Sequence, residues 1–205
     1  MRKTALAIGI SLIALNALGQ RKKFETRLIA GFTASQVQGD GYGGFDKAGL
    51  TAGAGIQWPV NKKSTLGFDL LYTQKGSRKI PDPENGDFTL YRLQLDYISV
   101  PVIYRYSFKK FIAIAGPEIA VLARSREQNQ FGDVITPLKF KPLDIGINLG
   151  FGFRAGKRIS LQMLLQESLL SIRETAPYAK GILGRFRGMY NTVIHTTLIY
   201  TPKNK

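Results

Sequence analysis

Residues 144–154 read DIGINLGFGFR, and this stretch decides the fold. One set of alternate positions is apolar: Ile145, Ile147, Leu149, Phe151 and Phe153. The other set is polar or small, with Asp144, Asn148 and Arg154 separated by glycines. Successive side chains of a β-strand point to opposite faces of the sheet. The alternation therefore predicts a strand with one apolar face and one polar or small face.

The same alternation recurs along the chain. We predict strands at 24–36, 48–60, 64–76, 90–106, 111–126, 140–155, 158–170 and 187–201. They reach the roughly 9–11 residues that a tilted transmembrane strand needs, whereas globular strands average about 5–6. Short connections alternate with long ones, and the long ones span 37–47, 77–89, 127–139 and 171–186. This alternation is typical of outer-membrane barrels. The sequence predicts an all-β fold, an eight-stranded antiparallel up-and-down transmembrane β-barrel.

The first 19 residues have the features of a signal peptide. Arg2 and Lys3 precede a mostly apolar segment, and residues 17–19 read ALG, a small-x-small cleavage pattern. The apolar segment is shorter than the roughly 20 residues of a membrane-spanning helix. We therefore predict a signal peptide over 1–19, export, and a barrel domain over 20–205 in the outer membrane.

Composition excludes several classes of function. The 205 residues include no cysteine, so disulfides, lipoprotein anchoring, cysteine zinc sites and thiolate nucleophiles are ruled out. Lys and Arg number 29 against 14 Asp and Glu, a net charge of +15. Such a balance often indicates nucleic acid, but export favours membrane lipid, lipopolysaccharide phosphates or an acidic protein as partners. We predict no nucleic-acid partner and no cofactor.

The polar face predicts a filled lumen. Side chains fill the interior of an eight-stranded barrel, and charges there should pair because an isolated buried charge is costly. The candidate ion-pair network consists of Glu25, Arg27, Asp69, Arg105, Glu118, Asp144 and Arg154. We expect a plugged interior with no open pore.

Basic residues collect at the predicted periplasmic end. The candidate basic rim consists of Lys22, Lys23, Lys62, Lys63, Lys109, Lys110, Lys157 and Arg158. Two interpretations stay open: turn solubility with snorkelling toward head-group phosphates, or docking of an acidic periplasmic or secretion-complex protein. At the opposite end, Lys75, Arg124, Arg126 and Arg187 are expected near lipopolysaccharide phosphates.

Two local features suggest other activities. Residues 39–44 read GDGYGG, which fits a dinucleotide-binding loop, but no helix pattern follows it as that fold requires. A calcium loop needs closely spaced acids, and only Asp40 and Asp46 are near. We predict a glycine-rich surface loop whose glycines permit positive φ. His195 is the only histidine and is expected to be structural.

Two alternatives to a non-enzymatic barrel follow. A lipid-A-modifying barrel enzyme would place His195 near a serine and a carboxylate at the membrane-facing rim. A soluble periplasmic ligand-binding barrel would carry apolar residues inside and polar residues outside. Separately, Leu93, Leu95 and Tyr97 are out of phase with the apolar residues that follow, so we expect a bulge near 97–99.

Five strings, in order along the chain, resemble the PorT-like outer-membrane β-barrel family. They are SQVQGDGYGGFDKAGLTAG (35–53), LLYTQKGS (70–77), LDYISVPVIYRY (95–106), AGPEIAVLA (115–123) and NLGFGFRAGKRISL (148–161). The resemblance implies an eight-stranded outer-membrane barrel, and one branch of that family takes part in protein secretion. It supplies no catalytic residues.

Overall fold

The computed structural model describes residues 24–134, 138–181 and 184–203, with the side chains of these residues outside 175–187. The predicted signal peptide over 1–19 and the rim residues Lys22 and Lys23 lie outside the described residues. Export and cleavage therefore stay predictions. The first strand of the barrel begins one residue after the start of the described chain.

Eight long antiparallel strands form the barrel, and two short strands extend it. The strands are β1 (Glu25–Gln38), β2 (Lys47–Pro59), β3 (Ser64–Lys79), β4 (Tyr91–Phe108), β5 (Phe111–Asn129), β6 (Gly132–Asp133), β7 (Leu143–Arg154), β8 (Ile159–Ser168), β9 (Arg173–Gly181) and β10 (Gly184–Tyr200). A 3-10 turn spans Pro83–Asn85. The long strands pair with their neighbours in chain order.

Pairing between the first and last strands closes the barrel. In the β1–β10 ladder, Leu28 lies opposite Tyr200 and Gln38 lies opposite Tyr190. The short strands β6 and β9 pair with β5 and β10, so they lengthen hairpins at the end that carries the long loops. The predicted fold class is confirmed. Part of the predicted loop 171–186 is strand, because β9 continues the hairpin above the barrel wall.

The outer face of the barrel is apolar. Phe32 is 68% exposed, Leu70 59% and Phe151 62%, and each belongs to the apolar set of an alternating strand. A monomer in water rarely exposes a continuous apolar surface of this size, whereas a barrel in a bilayer presents one as a band. The inner face is mostly polar, apart from an apolar layer on β4. This distribution contradicts the soluble ligand-binding barrel.

Aromatic residues line the outer wall at the end with the short turns. The rings of Trp58 and Phe68 stack with centroids 5.5 Å apart, and those of Phe111 and Phe153 meet edge to face at 5.7 Å. Aromatic girdles mark the water interface of a membrane barrel. No helix within the described ranges is long and apolar enough to cross a membrane.

The expected bulge lies on a different strand. The β3–β4 ladder keeps one register from Tyr91 to Tyr106, so β4 continues without interruption and Leu93, Leu95 and Tyr97 all point inward. The register shift falls in the β4–β5 ladder, where Ala123 is the extra residue of β5. The shift falls between Asp96 and Tyr97, beside the expected position, but the extra residue belongs to β5 and not to β4.

The GDGYGG stretch joins β1 to β2 as a loop. Gly39, Gly41 and Gly44 have φ of 90°, 86° and 101°, a region in which residues with a Cβ are strained. Tyr42 packs its ring 4.7 Å from that of Tyr91, which fastens the loop over the lumen. The chain then enters strand β2 and not a helix, so the stretch is a surface loop as predicted.

Candidate functional site in the barrel lumen

Three predicted lumen residues form one buried ion cluster toward the short-turn end, called here the lower cluster. Arg27 comes from β1, Asp69 from β3 and Arg105 from β4. Asp69 Oδ2 accepts from Arg27 Nη2 at 2.7 Å and from Arg105 Nη2 at 3.0 Å. All three side chains are at most 5% exposed. Two cations therefore share a single carboxylate oxygen.

Glycines on the inner face make room for the lower cluster. A Cβ on Gly55 would collide with the carboxylate of Asp69, and one on Gly67 would lie 2.7 Å from Arg105 Nη1. Both glycines occupy inward positions of strands β2 and β3. The small residues of the alternating pattern thus create the space that three large charged side chains fill.

A second buried cluster, the upper cluster, lies nearer the long loops. Lys75 Nζ contacts Glu118 Oε1 at 3.0 Å and Asp144 Oδ2 at 3.2 Å. Asn148 Nδ2 donates to Glu118 Oε2 at 3.2 Å, and Asn191 Nδ2 donates to Asp144 Oδ2 at 2.9 Å. One cation lies between two carboxylates, and side-chain amides supply further donors.

The position of Lys75 differs from the one expected from the sequence. We expected this lysine near lipopolysaccharide phosphates, but it is fully buried, with its ammonium 5.0 Å from the centre of the Tyr97 ring. It belongs to the same inward parity as Asp69. Arg124 and Arg126 are exposed near the long-loop end, and Arg126 pairs with Asp133 at 3.2 Å. The side chain of Arg187 lies outside those described.

The remaining two predicted network residues stand at the short-turn opening. Glu25 accepts from Gln57 Nε2 at 2.9 Å, and Gln57 Oε1 accepts from Arg27 Nη1 at 3.2 Å. Arg154 Nη2 donates to Ser107 Oγ at 3.2 Å. Within the described part of the chain, neither Glu25 nor Arg154 forms an ion pair. Both are exposed and line a cavity of about 460 Å³.

This cavity, called here the mouth cavity, is the open lower end of the lumen. All eight barrel strands contribute to its wall. Arg27 and Arg105 of the lower cluster line it, together with Arg154, Lys157 and Arg158. Glu25 is the one acidic residue among the described side chains that line it. The mouth cavity is therefore strongly cationic.

The described rim residues surround this opening on three short turns. Lys62, Lys63, Lys109, Lys110, Lys157 and Arg158 are all exposed. Lys109 has a φ of 55° and is the one described residue other than glycine with positive φ. The rim thus carries its charge in water, around the cavity opening.

The side chain of His195 points from the barrel wall into the lumen. It is 4% exposed, and its Nε2 has no hydrogen-bond partner among the described residues. It shares a small cavity of about 20 Å³ with Asp69 and Glu118. The lipid-modifying enzyme required a histidine at the membrane-facing rim, and the inward position of His195 does not match that requirement.

The long loops hold polar contacts that the sequence analysis missed. Glu127 accepts from Arg173 Nη1 at 2.8 Å and from the Tyr91 hydroxyl at 2.8 Å. Both charged residues fall in segments that were predicted as loops, where strand parity gives no orientation. Lys79 pairs with Asp87 at 2.8 Å, and its hydrogen bond lowers the pKa of Asp87 to about 2.

The calcium interpretation has little support in this region. Asp40 accepts from the Tyr42 amide at 2.8 Å and from the Ser77 hydroxyl, so its oxygens are used within the loop. Burial raises the pKa of Asp40, which disfavours the charged form. Within the described ranges, no group of three or more His, Asp or Glu side chains is placed to hold a metal ion.

A closed eight-stranded barrel with an apolar outer band and a charged interior defines an outer-membrane β-barrel protein. The model of the outer membrane protein beta-barrel domain family matches residues 17–173. The chain belongs to this family.

Neisserial surface protein A shares the fold, and two further solved structures are similar to the chain at a lower level. Neisserial surface protein A is 12% identical with a TM-score of 0.54, over 89% of this chain and all of that one. Ail of Yersinia pestis is 12% identical over 88% of this chain and 99% of its own, with a TM-score of 0.47. The N-terminal barrel of Pseudomonas aeruginosa OprF is 10% identical over 88% and 100%, with a TM-score of 0.40. No curated protein matches the chain.

Proposed function

We propose that this barrel is a non-enzymatic accessory factor of the cell envelope, whose basic rim docks an acidic protein at the periplasmic face. The barrel wall anchors the protein in the outer membrane. The lumen, filled by the two ion clusters, gives the anchor rigidity. The partner is a periplasmic protein, or a component of a secretion or envelope-assembly complex, that presents a surface rich in Asp and Glu.

One observation carries the proposal: the exposed cations of the short turns have no acidic neighbours within those turns. Lys62, Lys63, Lys109 and Lys110 belong to two hairpins, and none forms an ion pair among the described residues. Like charges held together repel unless a counter-charge approaches. An acidic surface supplies that counter-charge, and complementary fields speed association.

The backbone at Lys109 also supports this role. A residue with a Cβ at positive φ in a tight hairpin is disfavoured by about 1 kcal/mol relative to glycine. Glycine is the usual residue at such a turn position. A lysine in its place adds charge at the rim against the local backbone preference.

The resemblance to the PorT-like family is a further, weaker support. One branch of that family takes part in secretion, so an accessory role fits the resemblance. The inward placement of the single histidine favours a non-enzymatic role over lipid modification, because a buried side chain inside the lumen has no access to a lipid in the membrane.

Charge reversal of the rim tests the proposal. The variant Lys62→Glu, Lys63→Glu, Lys109→Glu, Lys110→Glu would be expressed in the native host and cross-linked in intact outer membranes. Proteins cross-linked to the wild-type barrel would be identified by quantitative mass spectrometry. We expect acidic periplasmic partners to fall about ten-fold in the variant, the ratio that corresponds to about 1.4 kcal/mol.

The matched control reverses four exposed cations at the other end: Arg78, Arg92, Arg124 and Lys139. This control should retain the same partners. If the rim variant keeps its cross-linked partners at wild-type levels, the docking proposal is wrong. Equal losses in both variants would show a general effect of net charge and would also count against it.

A further inference from the structure

We propose that the mouth cavity binds a small soluble oxyanion with several negative charges, such as a phosphate or pyrophosphate group. This goes beyond docking at the rim, because the site lies inside the barrel opening and takes a small ligand. Two buried arginines form the inner part of the site. Arg154, Lys157 and Arg158 form its outer wall.

The inner part of the site holds guanidinium donors and one carboxylate oxygen, Asp69 Oδ1, that have no hydrogen-bond partner among the described residues. Arg27 Nε, Arg105 Nε and Arg105 Nη1 have no hydrogen-bond partner among the described residues. Both guanidinium groups are directed to a single oxygen of Asp69. A guanidinium has five N–H donors and no acceptor, and buried donors without partners are unfavourable. Small shifts of Arg105 would let an oxyanion satisfy these donors.

The charge balance favours an anion. The cavity lining has five cationic side chains and one carboxylate, Glu25. Counting Asp69, which lies behind the lining in the lower cluster, leaves an excess of three positive charges. The neighbouring sequence provides no acidic side chain at 20–23 or at 202–205. An anion in the cavity would offset this excess of positive charge.

Size and position indicate a soluble ligand. The cavity of about 460 Å³ falls within the roughly 300–1,000 Å³ of small-molecule sites. It is enclosed by all eight strands and open toward the short turns, whereas lipid head groups lie outside the barrel wall. Phosphate oxygens match guanidinium donors in bidentate geometry. A phosphate-type ligand therefore fits the site better than a monovalent halide does.

Calorimetric titration tests the site. The full chain, folded in a zwitterionic detergent, would be titrated with pyrophosphate at constant ionic strength. We expect saturable binding with one site per barrel. The variant Lys157→Gln, Arg158→Gln should bind about ten-fold more weakly or worse, since it removes two lining cations. Its matched control is Lys109→Gln, Lys110→Gln, which removes the same charge from a turn outside the lining and should change affinity less than two-fold.

Side-chain NMR identifies the inner residues. With ¹⁵N-labelled arginine, pyrophosphate should shift the Nε–H resonance assigned through the Arg105→Lys variant, while equivalent sodium chloride should not. Vesicles containing phosphatidylglycerol without free phosphate form the second arm and should leave that resonance in place. A shift caused by vesicles alone would assign the site to lipid and overturn the proposal.

Two further outcomes would overturn it: no saturable binding of pyrophosphate, or equal loss of binding in the two turn variants. Either result is distinguishable from failure of the docking proposal. The rim variant used there leaves Lys157, Arg158 and both buried arginines unchanged, so it should lose the protein partner and still bind pyrophosphate.

Discussion

The two buried ion clusters of the lumen are built with opposite stoichiometry. In the lower cluster, Arg27 and Arg105 share one carboxylate, Asp69. In the upper cluster, Lys75 lies between two carboxylates, Glu118 and Asp144. One cluster has an excess positive charge and the other an excess negative charge. Together they are neutral.

The difference lies in how each excess charge is compensated. In the upper cluster, Asn148 and Asn191 donate to the two carboxylates, and an apolar layer that includes Leu93 and Leu95 packs nearby. In the lower cluster, no side-chain amide donates to Asp69, three guanidinium N–H groups have no partner among the described residues, and both arginines line the mouth cavity. A buried cluster whose carboxylates accept hydrogen bonds from side-chain amides acts as structure. A cationic cluster that borders an open cavity is suited to bind an anion.

The largest expected effect comes from removing the single cation of the upper cluster. Lys75→Met keeps most of the length of the side chain but leaves Glu118 and Asp144 buried without their counter-ion. Breaking a buried pair this way costs about 3–5 kcal/mol. We expect that loss in the free energy of unfolding, measured by urea titration in lipid vesicles with tryptophan fluorescence.

A matched variant and a rescue complete this test. Lys79→Met removes a partly exposed partner of Asp87 from the same strand and should leave the urea midpoint near the wild-type value, because exposed ion pairs contribute little to stability. Adding Glu118→Gln and Asp144→Asn to Lys75→Met should recover part of the loss. If Lys75→Met unfolds at the wild-type urea concentration, the upper cluster is not a structural element.

Breaking the lower cluster should have a smaller effect that depends on the solution. Asp69→Asn removes the shared carboxylate and leaves two guanidinium groups beside each other. We expect a loss of about 2–3 kcal/mol, within the range for hydrogen bonds to charged groups, because the cavity admits water. Millimolar pyrophosphate should reduce that loss, whereas the loss in Lys75→Met should not respond. An identical response in both variants would remove the distinction between the clusters.

The next test measures how much the side-chain amides of the upper cluster contribute to stability. Asn191→Ala removes the donor to Asp144 while keeping the ion pairs of Lys75. We expect about 1–2 kcal/mol of destabilisation, the usual range for a buried acceptor left without its neutral donor. The same urea titration measures it. In the double variant with Lys75→Met the losses should not add, since both residues act on Asp144.

Alternation alone predicted the fold and the inward direction of most lumen residues. The predicted strand at 158–170 is largely strand β8, in which Gln162 and Gln166 alternate with leucines. The pairing of charges could not be predicted, because it depends on the stagger between strands and on rotamers. Each is fixed only when the barrel closes.

Two errors have separate physical causes. Lys75 was assigned to the outer rim because it stands near the end of a predicted strand, although Asp69, six residues earlier, predicts an inward direction by parity. The bulge was assigned to β4, although its extra residue belongs to β5, because the lumen was treated as uniformly polar. Leu93, Leu95 and Tyr97 fill it with apolar side chains. Following the alternation of inward and outward side chains through the whole strand would have corrected both predictions.

The smallest expected effect concerns Lys109 at the short-turn end of the barrel. It separates the contribution of backbone strain from that of charge. In the long-loop half, every described residue with positive φ is a glycine, whereas the short-turn end has Lys109. Lys109→Gly should raise the free energy of unfolding by up to about 1 kcal/mol, measured by urea titration. Lys110→Gly removes the same charge at a residue without positive φ and should give no gain. If both variants shift the titration equally, charge repulsion and not backbone strain determines this turn. If only Lys109→Gly stabilises, the wild-type turn retains a strained lysine, and the stabilised variant should also bind the acidic partner more weakly.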